Sequence, residues 1–423
     1  MKEQCSPSNI QSHDPIASWL LIAMLICATF LQKIAIPIGN IQILLGLPLI
    51  FGVVAYGFIT RRLELKSNNL LLYLSMVGAL ALTQILGGQA FSIGSILLLI
   101  VIHAPYAFGL KNNSTMAGVQ FLYFQRIMVI IAIIGISQYF LQFVVGANIA
   151  YFLDLMPMQN IIQQGFNGTI PLSYGSSIFK SNGFFMQEPS NFSQLLAVAI
   201  MVEIIYFKNW KRIILFTSAI AVTFSGTGLL ILFALVPIYL VQHRKFFILG
   251  ILLLGVITAP IWSVIVGVDK TVNRAAEFQS TESSGYARFV SIIPTLNTYI
   301  LNDTKTAIFG LGAGSIIRTF ASTDVNYERH NPSWGKMIFE YGIIGALAYF
   351  IFIFLVFWRG NGSPYIKAAL LIQLMVLGEY VLPPTLHSLI LTLLIWSNPF
   401  TYNRDYYNKG RVFFMNIKQE SKP

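Results

Sequence analysis

The sequence predicts an all-α polytopic membrane protein: about 12 transmembrane helices, cytoplasmic N- and C-termini, and two long outer loops at 146–189 and 267–336. Three observations carry this. Of 423 residues, 56% are hydrophobic and only 10% charged, whereas soluble domains carry about 25% charged residues. Apolar runs long enough to cross a bilayer core recur along the chain, at roughly 20 residues per crossing. Short basic segments alternate between these runs, as orientation signals do. The charge deficit excludes a soluble globular enzyme, a disordered chain and a nucleic-acid-binding domain. The net charge of +11 is then largely topology signal.

The first run, Ile16 to Gln32, follows a polar N-terminus and shows no small-residue cleavage site, so it reads as an uncleaved span. Further runs lie at 41–60, 69–86, 91–110, 121–145, 190–207, 212–225, 228–242, 246–266, 337–357, 366–382 and 385–399. Only Ser225-Gly226-Thr227-Gly228 separates the seventh from the eighth, which form a hairpin of two short helices or one kinked unit. With the N-terminus inside, 17 of the 27 Lys and Arg residues fall in short inner segments. Nine fall outside, seven of them in the 267–336 loop, where the charge rule is weak. The chain is thus one integral membrane domain, 1–423, ending in a basic cytoplasmic tail, 400–423. Cys5 and Cys27 indicate no disulfide framework.

Long loops are often functional. In the larger one, Val290, Ile293, Leu296 and Ile300 recur near helical spacing, predicting an amphipathic helix on the membrane surface. Ile149 to Gln164, with Phe152, Leu153 and Met156, carries a similar pattern. Gly310-Leu-Gly-Ala-Gly314 reads as a tight turn rather than a phosphate cradle, because no Rossmann-type helix follows it. No Cys/His spacing suggests a metal site, and no cofactor is expected.

Candidate chemistry gathers on the outer side. Lys180 offers a point charge for phosphate. Glu188-Pro189-Ser190 marks a helix start, and an exposed helix N-terminus attracts anions. Arg288 is either a phosphate-binding fork or a snorkelling interfacial residue. His330 is either a proton acceptor and donor or an exposed loop histidine. Glu379, ahead of Pro383-Pro384, lies at the outer end of the eleventh run, where it could face the same cavity. His103 reads as a packed, hydrogen-bonded residue. Arg126 reads as marking the true start of the fifth span, and Glu203 as snorkelling beside Lys208. Gly342 and Gly345 suggest close helix packing.

Four motifs occur in sequence order: Gly183-Phe-Phe-Met-Gln-Glu188-Pro189-Ser190-Asn191-Phe; Phe224-Ser225-Gly226-Thr227-Gly-Leu-Leu; Phe309-Gly-Leu-Gly-Ala-Gly314; and His330-Asn331 with Glu340-Tyr-Gly342-Ile-Ile-Gly345. In this order they resemble the O-antigen polymerase and O-antigen ligase superfamily, over about residues 180–350. The resemblance implies a bacterial inner-membrane glycosyltransferase acting at the periplasmic face. Its donor would be an undecaprenyl-diphosphate-linked glycan. Its acceptor would be another lipid-linked repeat unit (polymerase, the preferred reading) or the lipid A core (ligase). It needs no nucleotide sugar and no metal. A flippase and a chain-length regulator are expected neighbours.

The resemblance carries over Arg288 as the loop arginine and His330 as the loop histidine. Lys180 stands where members often have arginine, which keeps the charge and loses the fork. Ser225-Gly226-Thr227 stands where members often have Ser-Arg, so no charge transfers there. With a diphosphate leaving group, catalysis needs cations over developing charge and a base at the acceptor hydroxyl. His330, Arg288 and Glu188 are the expected catalytic residues; Lys180, Arg318, Arg329, Asn331 and Glu379 are the expected substrate contacts. The alternative of another class is a lipid-linked oligosaccharide transporter, though the spans are poor in the midplane charges such proteins use.

Overall fold

The computed structural model describes residues 14–38, 41–111, 118–155, 162, 168–172, 176–248, 250, 284–321 and 331–397. These are mostly helical. Among them, four helices are long and apolar enough to cross a membrane: α3 (Ser67–Gly87), α5 (Val119–Val145), Pro189–Phe207, and Ser333–Arg359. The third comprises α8 (Pro189–Val202) and a π-helical turn, Glu203–Phe207. Shorter apolar helices accompany them: α1 (Pro15–Thr29), α2 (Gly46–Ile59), α4 (Ile93–His103), α10 (Thr227–Gln242), α16 (Pro364–Met375) and α17 (Pro384–Ile390, continued by a π turn to Ile395). The 246–266 run and the 400–423 tail lie largely or wholly outside the described residues.

Local chemistry sets the ends. Asp14 caps α1 by accepting from Ile16 N at 3.0 Å and Ala17 N at 3.4 Å, with Pro15 at the first helical position. Gly88, left-handed at φ 63°, ends α3. The 91–110 run is not one helix. It stops at His103, passes Pro105 in a 3-10 turn, and ends as strand β4 (Phe108–Leu110). The 366–382 run also stops early, at Met375, so Glu379 sits in an irregular segment. Short strands that the apolar pattern did not reveal are present too. β1 (Ala35–Ile38) pairs with β2 (Ile41–Leu44), and β3 (Leu63–Leu65) pairs with β4, both antiparallel. The seventh and eighth runs are two helices, α9 (Trp210–Thr223) and α10.

α8 is the hub. Every residue of it except Asn191 is buried, as an all-round apolar helix requires. It packs against α5, α9, α10 and α16. Close approach to α10 depends on Gly228, where an added Cβ would lie 2.2 Å from the Ser193 carbonyl oxygen. α3 runs along α15 (Ser333–Arg359), and α1 along α17.

His103 and His387 form a buried polar knot between these layers. His103 donates from Nδ1 to the Leu99 carbonyl at 2.8 Å and accepts at Nε2 from the Tyr349 hydroxyl at 3.3 Å. His387 donates from Nε2 to the Val381 carbonyl at 3.1 Å and accepts at Nδ1 from Tyr106 at 2.9 Å. These partners fix one tautomer for each ring. Glu203 does not snorkel. It is buried and accepts from Arg212 at 3.0 Å and from Asn209 N at 3.3 Å, closing the α8–α9 turn. Arg126 lies exposed in the second turn of α5.

The segment 146–189 begins with two single-turn helices, α6 (Ala147–Ala150) and α7 (Phe152–Leu155). In the segment 267–336, α11 (Ser284–Phe289), α12 (Ile292–Tyr299), α13 (Thr304–Phe309) and α14 (Ser315–Ala321) follow one another. The amphipathic helix is real but its apolar face meets protein. Ile292, Leu296 and Ile300 pack with Ile316 and Phe339, while Ile293 points outward.

Candidate functional site

Pro189 starts α8 at its first helical position, with Glu188 extended just before it at φ −141°, ψ 158°. α11 brings Arg288 to this point from 100 residues further along the chain. Arg288 Nη2 donates to Glu188 Oε2 at 2.9 Å and lies 3.4 Å from Ser190 Oγ; Ser190 donates to the same carboxylate oxygen at 2.9 Å. The two side chains are 15% and 12% exposed. Arg288 therefore turns inward and does not snorkel. The α8 N-terminus is not openly exposed either, because Glu188 and Ser190 are buried there. Breaking such a buried pair by removing one partner costs about 3–5 kcal/mol.

The irregular segment after α16 supplies two side chains in succession. Tyr380 donates its hydroxyl between Asn191 Oδ1, at 2.8 Å, and Gln194 Oε1, at 2.7 Å, within electrostatic reach of Arg288 and Glu188. Glu379 pairs with the buried Lys336, which also faces Glu340 at 3.8 Å. Ser333 fastens the segment to the head of α15, accepting from Tyr380 N at 2.9 Å while its own N–H reaches the Gly378 carbonyl at 3.1 Å. Two carboxylates thus face one ammonium.

The expected site residues are only partly united. Glu188 and Arg288 touch, and Glu379 lies one residue from Tyr380, which reaches their neighbourhood. Asn331 is buried just ahead of α15, and its Oδ1 has no partner among the described residues. Arg318 is elsewhere: it is exposed and donates to the Ala90 carbonyl at 2.7 Å, tying α14 to the turn after α3. Lys180 is half-buried, its backbone N–H bonded to the Ile170 carbonyl at 2.9 Å. Arg329 and His330 lie outside the described residues. Sequence reasoning missed Tyr380, Gln194 and Lys336 as site members. Lys336 carried a signal, a lone charge at the edge of an apolar run, but was counted only as a loop charge.

The glycine cluster has a structural task, as a turn. α15 breaks at Gly342, at φ 65°, ψ −174°. The break frees backbone carbonyls, and the cluster supplies their donors: Leu311 N to Phe339 O and Gly312 N to Glu340 O, both at 3.0 Å. Ala313 N donates to Gln84 Oε1 at 2.7 Å. The backbone N–H groups of Gly314 and Ile316 bond the Glu340 carboxylate. This concavity of N–H groups is an anion nest, and the chain fills it with its own Glu340.

A third ionic group anchors the first loop. Lys33 donates to both Asp154 oxygens, at 2.7 and 2.8 Å, and to the Phe184 carbonyl at 3.0 Å. Asn182 donates to Asp154 at 2.9 Å and accepts from Gln138 of α5 at 3.0 Å. Burial pushes the Lys33 ammonium down to about 8, against the pull of Asp154. Lys33→Met is expected to destabilise the protein by about 3–5 kcal/mol, by stranding a buried carboxylate. Asp154→Asn on that background should recover part of the loss. Thermal unfolding in detergent reads both, and an unchanged Tm for the single variant would remove the pair as the loop's anchor.

No protein-family model matches this chain, and no curated protein matches it.

Proposed function

We propose that this chain is a multi-pass glycosyltransferase of the bacterial inner membrane, with about 12 spans and both termini cytoplasmic. It would polymerise undecaprenyl-diphosphate-linked oligosaccharide repeat units at the periplasmic face into a surface polysaccharide. The observation that carries the reading is the Glu188–Arg288 pair. It joins a base-capable carboxylate to a phosphate-capable fork, each from a different long loop; Glu188 lies in the first of the motifs that resemble the polymerase and ligase superfamily, and Arg288 stands where that resemblance puts the loop arginine.

The chemistry follows from partner exchange. Donor diphosphate engages Arg288, which binds phosphate oxygens well, and so releases Glu188. The acceptor hydroxyl oxygen attacks the anomeric carbon. The bond from that carbon to the diphosphate oxygen breaks and its electron pair leaves with the diphosphate. The hydroxyl proton passes to Glu188 or to His330. Arg288 offsets the charge developing on the leaving group. Glu379, held by Lys336, is placed to accept sugar hydroxyls.

The test is the surface-glycan profile of a clean deletion strain, with the lipid-carrier pool examined alongside. Collapse to single repeat units on the core supports the polymerase. Long polymer that stays on the carrier makes the protein a ligase. Unpolymerised units accumulating on the cytoplasmic side would sink the enzyme reading in favour of transport.

A further inference from the structure

Behind the Asn191–Tyr380 contact, the exit of α1, helices α8, α16 and α17 and Tyr380 line a small cavity of about 10 Å³. Its polar lining is Gln32, Asn191, Gln373, Tyr380 and Thr385. A volume near one probe sphere is what a single buried water occupies. Two buried acceptors in this lining, Gln32 Oε1 and Gln373 Oε1, have no partner among the described residues. Gln32 is only 4% exposed and Gln373 only 3%. Turning the Gln32 amide over would set its oxygen against the Ala28 carbonyl, to which Nε2 donates at 2.6 Å, and the Gln373 side chain bonds the Tyr380 hydroxyl.

An orphaned buried acceptor costs about 1–3 kcal/mol, so two in one small polar space call for a shared donor. The space has no room for carbon, and no carboxylate lines it to balance a metal cation. We propose that one ordered water binds here, donating its two hydrogens to Gln32 Oε1 and Gln373 Oε1. Thr385 and Asn191 complete its surroundings. The water ties Tyr380 and Asn191, which underlie the Glu188–Arg288 pair, to four elements at once. It is a fixed part of that site's floor, whatever reaction the site performs.

A cryo-EM map of the full chain in lipid nanodiscs, at a resolution that shows ordered waters, tests this without any activity assay. The wild type should show one peak at about 2.7–3.0 Å from both amide oxygens. Gln373→Leu and Gln32→Leu should each lose it, with the Tyr380–Asn191 contact lengthened. A wild-type map without the peak overturns the proposal. So does a peak that disappears when sodium in the buffer is replaced by choline, because the occupant would then be a cation.

Discussion

Arg288→Ala is expected to abolish polymer formation, lowering polymer per molecule of protein by at least about 100-fold. Removing a group that stabilises developing negative charge typically costs about 10²–10³ in rate. The variant also strands Glu188 at the head of α8, so stability falls as well. Two further variants separate these effects. Arg288→Ala with Glu188→Gln removes the stranded charge, so its Tm should recover toward wild type while polymer stays absent. Arg288→Lys keeps the charge and loses the fork, and should retain partial activity. The measurement is polymer length and amount in the deletion strain complemented with each variant at matched membrane levels. Full-length polymer from Arg288→Ala would end the assignment.

The largest loss of stability is expected from Gly342→Ala. A Cβ there would lie 2.3 Å from the Ile308 carbonyl oxygen, and the left-handed φ of 65° is itself strained for alanine. The backbone strain alone is about 1–3 kcal/mol, and the clash falls on backbone that cannot turn aside. Gly310→Ala should behave alike, with its Cβ 2.5 Å from Glu340 C. Gly52→Ala and Gly78→Ala are the controls. Each lies within a helix with nothing within 4 Å of the added carbon, and each should change stability by no more than about 1 kcal/mol. Thermal melts of the purified proteins in one detergent decide the matter. Equal melting of Gly342→Ala and Gly78→Ala would mean that the break in α15 is not essential.

What the sequence disclosed divides along a physical line. Apolar runs became helices because burial is a bulk property of many neighbouring residues, and a run such as 121–145 needs no distant partner to declare itself. Run ends were poorer guides: 366–382 reads as one span, yet the helix ends at Met375 and 376–382 is irregular. Arg288 and Glu188 were legible as chemical candidates, Glu188 through its type and motif and Arg288 through its type and its place in the long loop. That they touch was not, since nothing local links residues 100 positions apart. The same holds for Tyr380, whose partners come from α8, for Lys336, whose partner Glu379 lies in the irregular segment after α16, and for the β3–β4 ladder, three residues long on each side. Nothing local to Arg318 announced the Ala90 carbonyl that it holds.

The break at Gly342 also sets a depth. Counted from the break, the continuous part of α15 runs from Gly342 to Arg359. At 1.5 Å per residue that is about 27 Å, close to the hydrocarbon thickness of a bilayer. If α15 crosses the membrane from that point, the turns from Ser333 to Tyr341 are surplus to the crossing and would stand at headgroup level, locked to the glycine loop. Lys336 rides on those turns. Under the proposed function, a diphosphate attached to a polyprenyl chain would rest at the same height. The reacting groups would meet it there by lateral diffusion in the plane of the membrane, with no need to lift the lipid out.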